Sequence, residues 1–160
     1  MTAPKRILFV CMGNICRSPA AEGVFLEMLR ERGEADGFEV DSAGTLDYHT
    51  GELPDPRMRR VGARRGYNFD SRARHFTPCD FDRFDMIIAM DENNLHEIRS
   101  LDPRGRHREK VHLLCDFLVE PGPAEVPDPY YGGEEGFERC LDLIERACEG
   151  LLTHLRDGKS

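Results

Sequence analysis

The chain has 160 residues, 39% of them hydrophobic, which suffices for one sizeable core and is short for two domains. Its 22 basic and 30 acidic side chains leave a formal charge of −8, which argues against nucleic acid or an anionic membrane as a partner, since both select basic faces. No apolar run is long enough to span a bilayer, and the opening Met1–Arg6 leads into a hydrophobic stretch too short for a signal-peptide core, so a cytoplasmic protein is expected.

In chain order, Ile7-Leu8-Phe9-Val10 reads as a strand that closes on Cys11. A short loop follows, and Pro19 suits the first position of a helix. Ala21, Val24, Phe25, Met28 and Leu29 continue that helix at i, i+3, i+4 spacing, and it stops near Gly33. Phe38 to Ser42 alternates apolar and polar, as an edge strand does. Residues 44–56 form a loop carrying Tyr48 and His49, ahead of a helix over Asp55–Arg65 whose Arg57, Arg59, Arg60, Arg64 and Arg65 read as a solvated basic face.

Thr77 reads as a helix cap with Pro78 at the first position, and Asp85–Met90 as a buried parallel strand. Asp91 caps a helix holding Leu95 and Ile98. Val111, Leu113 and Leu114 supply a fourth strand, and residues 120–133 form a loop rich in proline and acid. Phe137, Leu141, Ile144, Cys148, Leu151 and Leu155 mark one long C-terminal helix. Alternation of strands and helices predicts a single α/β domain over residues 1–160. It has three layers, a four-stranded parallel sheet in the order 2-1-3-4 with helices on both faces. Ligands of such sheets bind beyond the carboxyl ends of the strands, where Cys11 lies.

The loop Cys11-Met12-Gly13-Asn14-Ile15-Cys16-Arg17-Ser18 has the parts of an anion cradle. A helix start leaves backbone N–H groups without partners, and a guanidinium fork matches two phosphate oxygens. Backbone donors and a cation around a thiol favour the thiolate, the form that attacks. Gly13 and Asn14 both tolerate left-handed backbone. The loop lacks the Lys-Ser/Thr ending of nucleotide-binding loops, so a nucleophile at Cys11 points to covalent phosphoryl transfer instead. Ser18 is placed to hydrogen-bond the sulfur as it leaves. A proton donor is still needed, and Asp128, in Val126-Pro127-Asp128-Pro129-Tyr130-Tyr131-Gly132, can serve as acid and then as base; on local pattern alone it is a turn aspartate.

These two motifs, one near each end of the chain, resemble those of the low molecular weight protein tyrosine phosphatases. Asp41-Ser42-Ala43-Gly44, Pro54-Asp55-Pro56-Arg57 and Phe84–Leu95 extend the likeness in the same order. The resemblance implies phosphotyrosine hydrolysis with Cys11 as nucleophile, Arg17 as phosphate clamp and Asp128 as general acid. Residues Met12 to Ser18 would bind phosphate, Asn14, Ser18 and Ser42 would support the loop, and Met12, Ile15, Tyr48, Tyr130 and Tyr131 would line the slot for the substrate ring. Cys16 would form a reversible disulfide with Cys11 under oxidation.

The implied protein is a monomer needing neither cofactor nor metal, acting on phosphotyrosine-containing proteins, with a tyrosine kinase among its partners. Two departures stand out: Ser71 where many members have histidine, and Tyr48 where some have tryptophan. Arsenate reduction on the same scaffold is disfavoured because the middle of the chain offers only Cys79 as a relay thiol. A phosphoarginine phosphatase would have threonine in place of Ile15. A noncatalytic phosphate-binding module would need neither the thiol nor the acid.

Overall fold

A computed structural model of the chain describes residues 3–157. Four parallel strands, β1 (Lys5–Cys11), β2 (Phe38–Gly44), β3 (Met86–Ala89) and β4 (Val111–Leu113), lie in the order β2-β1-β3-β4. The expected order 2-1-3-4 and the edge position of the second strand are therefore present. The domain expected over residues 1–160 includes 1–2 and 158–160, which lie outside the described residues.

Alternation along the central strands separates two cores. Ile7, Phe9, Met86 and Ile88 face α1 (Arg17–Glu31), α2 (Pro56–Arg64) and α5 (Glu134–Arg156). Leu8, Val10, Ile87 and Ala89 face α3 (Asp80–Arg83) and α4 (Glu92–Ser100). Buried strands covered on both sides must be apolar at every buried position, which is why Ile7–Cys11 of β1 and the whole of β3 read as unbroken hydrophobic runs. Phe25 of α1 fills the larger core, with edge contacts to Phe9 at 5.9 Å and Phe38 at 5.7 Å between ring centres. Burying such a ring stabilises by about 1.5–3 kcal/mol.

Several local expectations are corrected. Helix α1 begins at Arg17, so Pro19 is its third residue; the N–H that proline lacks has no intrahelical partner there either. Pro78 does not open a helix and Thr77 does not cap one. The helix starts at Asp80, whose Oδ2 accepts the Thr77 N–H at 2.9 Å from the other direction. β4 ends at Leu113, and Leu114 opens a 3₁₀ turn. The basic face of α2 is not simply solvated: Arg60, Arg64 and Arg65 pair with Glu134, Glu138, Asp142 and Glu145 of α5.

Candidate active site

Cys11 ends β1 and Arg17 begins α1, so the loop between them turns directly over the carboxyl end of the sheet. The turn needs one left-handed residue, and Asn14 supplies it with φ of 57°. Gly13 is not left-handed; a Cβ there would lie 3.2 Å from the His49 ring, so its role is close approach. Gly44 at the end of β2 is needed for the same reason, since its Cβ would meet the Met12 carbonyl at 2.9 Å.

Asn14 is held on both ends of its amide. Its Oδ1 accepts the Arg74 N–H at 2.9 Å, which fixes the orientation, and its Nδ2 donates to Ser18 Oγ at 2.8 Å and Ser42 Oγ at 3.0 Å. Ser18 Oγ lies 3.0 Å from Cys11 Sγ and 3.4 Å from the Ala43 carbonyl. Having accepted from Asn14, the Ser18 hydroxyl has one hydrogen of its own, with the Ala43 carbonyl and the Cys11 sulfur both within its reach. Ser42 in turn donates to Glu22 Oε1 at 2.6 Å. Burial, with Asp41 and Asp70 nearby, pushes the Glu22 carboxyl up to about 7, while the Ser42 and Ser71 hydroxyls pull the other way. Ser71 thus addresses the Glu22 brace without bringing a cation to it.

Arg17 is fully buried beneath the loop. Its Nη1 donates to Asp91 Oδ2 at 2.6 Å and to the Val126 carbonyl at 2.9 Å, and its Nη2 lies 3.6 Å from Asp128 Oδ2. Burial works against its charge, but Cys11, Asp91 and Asp128 together raise its pKa above the ordinary value. The other oxygen of Asp128 accepts the Tyr130 N–H at 3.1 Å, so the turn aspartate expected from local pattern is present as well.

A cleft of about 210 Å³ opens over the loop, with Cys11, Arg17 and Asp128 in its walls. Met12, Ile15, Tyr48, Tyr130 and Tyr131 also line it. Tyr48 is 79% and Tyr131 92% exposed, so both stand at the rim. Asn14, Ser18 and Ser42 are buried behind the loop and do not reach the cleft. Cys16 lines it as a buried free thiol, and burial pushes that thiol up. Among the described residues no group of three or more His, Cys, Asp or Glu is placed to hold a metal ion.

Sequence reasoning missed Leu46 and His49 in the cleft wall, Glu22 behind Ser42, and Asp91 as the anchor of Arg17. Asp91 was read only as a cap, which it is, in a capping box with Asn94. Its place after β3, at the carboxyl edge of the sheet, was the available signal.

A family model described as low molecular weight phosphotyrosine protein phosphatase matches residues 6–160. The low molecular weight protein-tyrosine-phosphatase of Streptomyces coelicolor is 46% identical over 154 residues, covering 95% of this chain and 94% of its own. A protein tyrosine phosphatase from Entamoeba histolytica, solved with Hepes in its active site, superposes with a TM-score of 0.92 at 45% identity, covering 96% and 98%. A Drosophila arginine phosphatase superposes at 0.86 with 30% identity, covering 94% and 97%. With a family model matching residues 6–160, a relative 46% identical over 95% of the chain and a solved structure superposing at a TM-score of 0.92, the chain belongs to the low molecular weight phosphotyrosine protein phosphatases, an enzyme family.

Proposed function

We propose that the chain hydrolyses phosphotyrosine in proteins through a phosphate ester of Cys11. The observation that carries this reading is the meeting, in one aromatic-walled cleft, of a thiol, a buried guanidinium and a carboxyl separated by more than a hundred residues of chain. Cys11 Sγ attacks phosphorus, the bond to the tyrosine oxygen breaks, and Asp128 delivers a proton to that oxygen. Arg17 and the backbone N–H groups of Met12 to Ser18 hold the equatorial oxygens as charge spreads over them. Asp128 then takes a proton from water, which attacks phosphorus and expels the thiolate, and Ser18 stabilises the departing sulfur with its hydrogen. Ile15 favours phosphotyrosine over phosphoarginine as substrate.

The test is turnover of aryl phosphates in the presence of a chelator. Cys11→Ser is expected to abolish it. Asp128→Ala is expected to slow it by roughly 10²- to 10⁴-fold for poor leaving groups and much less for good ones. Full activity of Cys11→Ser, or an equal loss for every leaving group in Asp128→Ala, would overturn the assignment. Phosphoarginine and arsenate, run beside phosphotyrosine, test the two neighbouring chemistries.

The same loop supports a redox reading. Peroxide oxidises the Cys11 thiolate to a sulfenic acid, which Cys16 condenses with to give a disulfide and water, and added thiol reduces it back. Inactivation by peroxide should be reversible in the parent and should become irreversible in Cys16→Ala. Equal recovery of both would rule out the protective role of Cys16.

A further inference from the structure

We propose that Arg57 is a positioning residue that ties the phosphate loop to the Asp128 loop and so sets the direction of the Asp128 carboxyl. The tie begins on the phosphate loop, where the Asp55 N–H donates to the Ile15 carbonyl at 2.7 Å. Asp55, 7% exposed, holds the Arg57 guanidinium with both oxygens: Nε to Oδ1 at 3.1 Å and Nη2 to Oδ2 at 2.9 Å. Its Oδ1 also accepts the Arg57 N–H at 2.8 Å. Burial opposes ionisation of Asp55, yet the Arg57 hydrogen bonds hold its carboxyl below the usual range.

The far side of the guanidinium meets the acid segment. Its central carbon lies 4.6 Å from the Phe137 ring centre and 5.4 Å from that of Tyr130, and Nη1 donates a long bond, 3.4 Å, to the Gly132 carbonyl. Tyr130 is the residue whose N–H fixes Asp128 Oδ1, so holding its ring holds the turn that aims the carboxyl. Phe137 is fully buried in the first turns of α5 and gives the plane a rigid floor. Only a planar, forked cation makes the bidentate pair on one edge and stacks on rings with its faces; lysine offers a point charge. Arg57 does not line the cleft and so acts through the loop it holds.

This inference rests on Asp128 being the acid, and its test separates the two. In Arg57→Met, kcat/KM for phenyl phosphate should fall roughly 10- to 100-fold, the scale of a small misplacement, with a much smaller loss for strongly activated leaving groups. Inhibition by inorganic phosphate, which reads the phosphate loop, should be unchanged. Asp55→Asn keeps the helix cap but loses the ionic fork, should shift the leaving-group dependence the same way, and serves if Arg57→Met fails to fold. In an Asp128→Ala background Arg57→Met should add little further loss. A lower melting temperature with the parent's leaving-group dependence would overturn the proposal, as would a fully multiplicative loss in the double variant. If Asp128→Ala itself shows no leaving-group dependence, the acid assignment falls first and this one with it.

Discussion

Asn14 has a left-handed backbone that costs a non-glycine residue about 1 kcal/mol or more, yet glycine would forfeit three hydrogen bonds from its amide side chain. The bonds win, because each buried one is worth about 1 kcal/mol and together they brace Ser18 and Ser42. The sequence allowed Asn14, Ser18 and Ser42 to be named, since the resemblance to a family carries residues with it. Glu22 was not legible: it lies on α1 among surface-facing positions, and only the pairing of β2 with β1 brings Ser42 over it. Its titration makes a prediction. In the unfolded chain the carboxyl has its ordinary value of 4.5, and burial raises it to about 7 in the fold. The folded state binds the proton more tightly, so the stability this group contributes is complete below 4.5 and is lost as pH rises through about 7. Glu22→Gln cannot ionise, so its melting temperature relative to the parent should climb across that window. Parallel curves for the two proteins would show that Glu22 does not titrate there.

At the scale of elements, glycines set how closely helices approach. A Cβ on Gly23 of α1 or on Gly62 of α2 would lie 2.5 Å or 2.4 Å from the Phe69 ring, which is wedged between the two helices. Gly150 of α5 sits against the Phe117 carbonyl, which a Cβ would meet at 1.7 Å. In an open helix Gly→Ala gains up to about 1 kcal/mol, but overpacking against fixed backbone costs about 1–3 kcal/mol or more. Gly150→Ala should therefore destabilise by roughly 3 kcal/mol in denaturant unfolding. Gly136→Ala, where the new Cβ meets only Pro129 at 3.9 Å, should not destabilise. The reverse ranking would refute this account of the packing. Helix periods and strand runs were readable because they follow from burial on one face or two. The start of α3 was not: in place of a cap at Thr77 followed by Pro78, the helix opens at Asp80, whose carboxylate reaches back to accept the Thr77 N–H.

For the whole molecule, a charge of −8 has to coexist with a site for an anion. Three of the five arginines read as a basic face, Arg60, Arg64 and Arg65, are spent on α5 carboxylates, a pairing invisible in sequence because the partners are about 70 to 80 residues apart. On the proposed function, the attraction left for phosphate is local: loop N–H groups, the start of α1, and the buried Arg17. Layer order and strand order were legible from alternation and crossover rules, and the cleft's place followed from the carboxyl ends of the strands. The wall residues Leu46 and His49 were not, since a loop carries no periodicity to say which side chains face inward.

The hydrogen bond from Arg17 to the Val126 carbonyl spans 109 positions of chain. During synthesis Cys11 and Arg17 leave the ribosome long before that carbonyl exists, so the buried guanidinium is without this anchor while most of the chain is being made. The cleft that holds Cys11, Arg17 and Asp128 is therefore complete only once the fold has closed around residues 126–128.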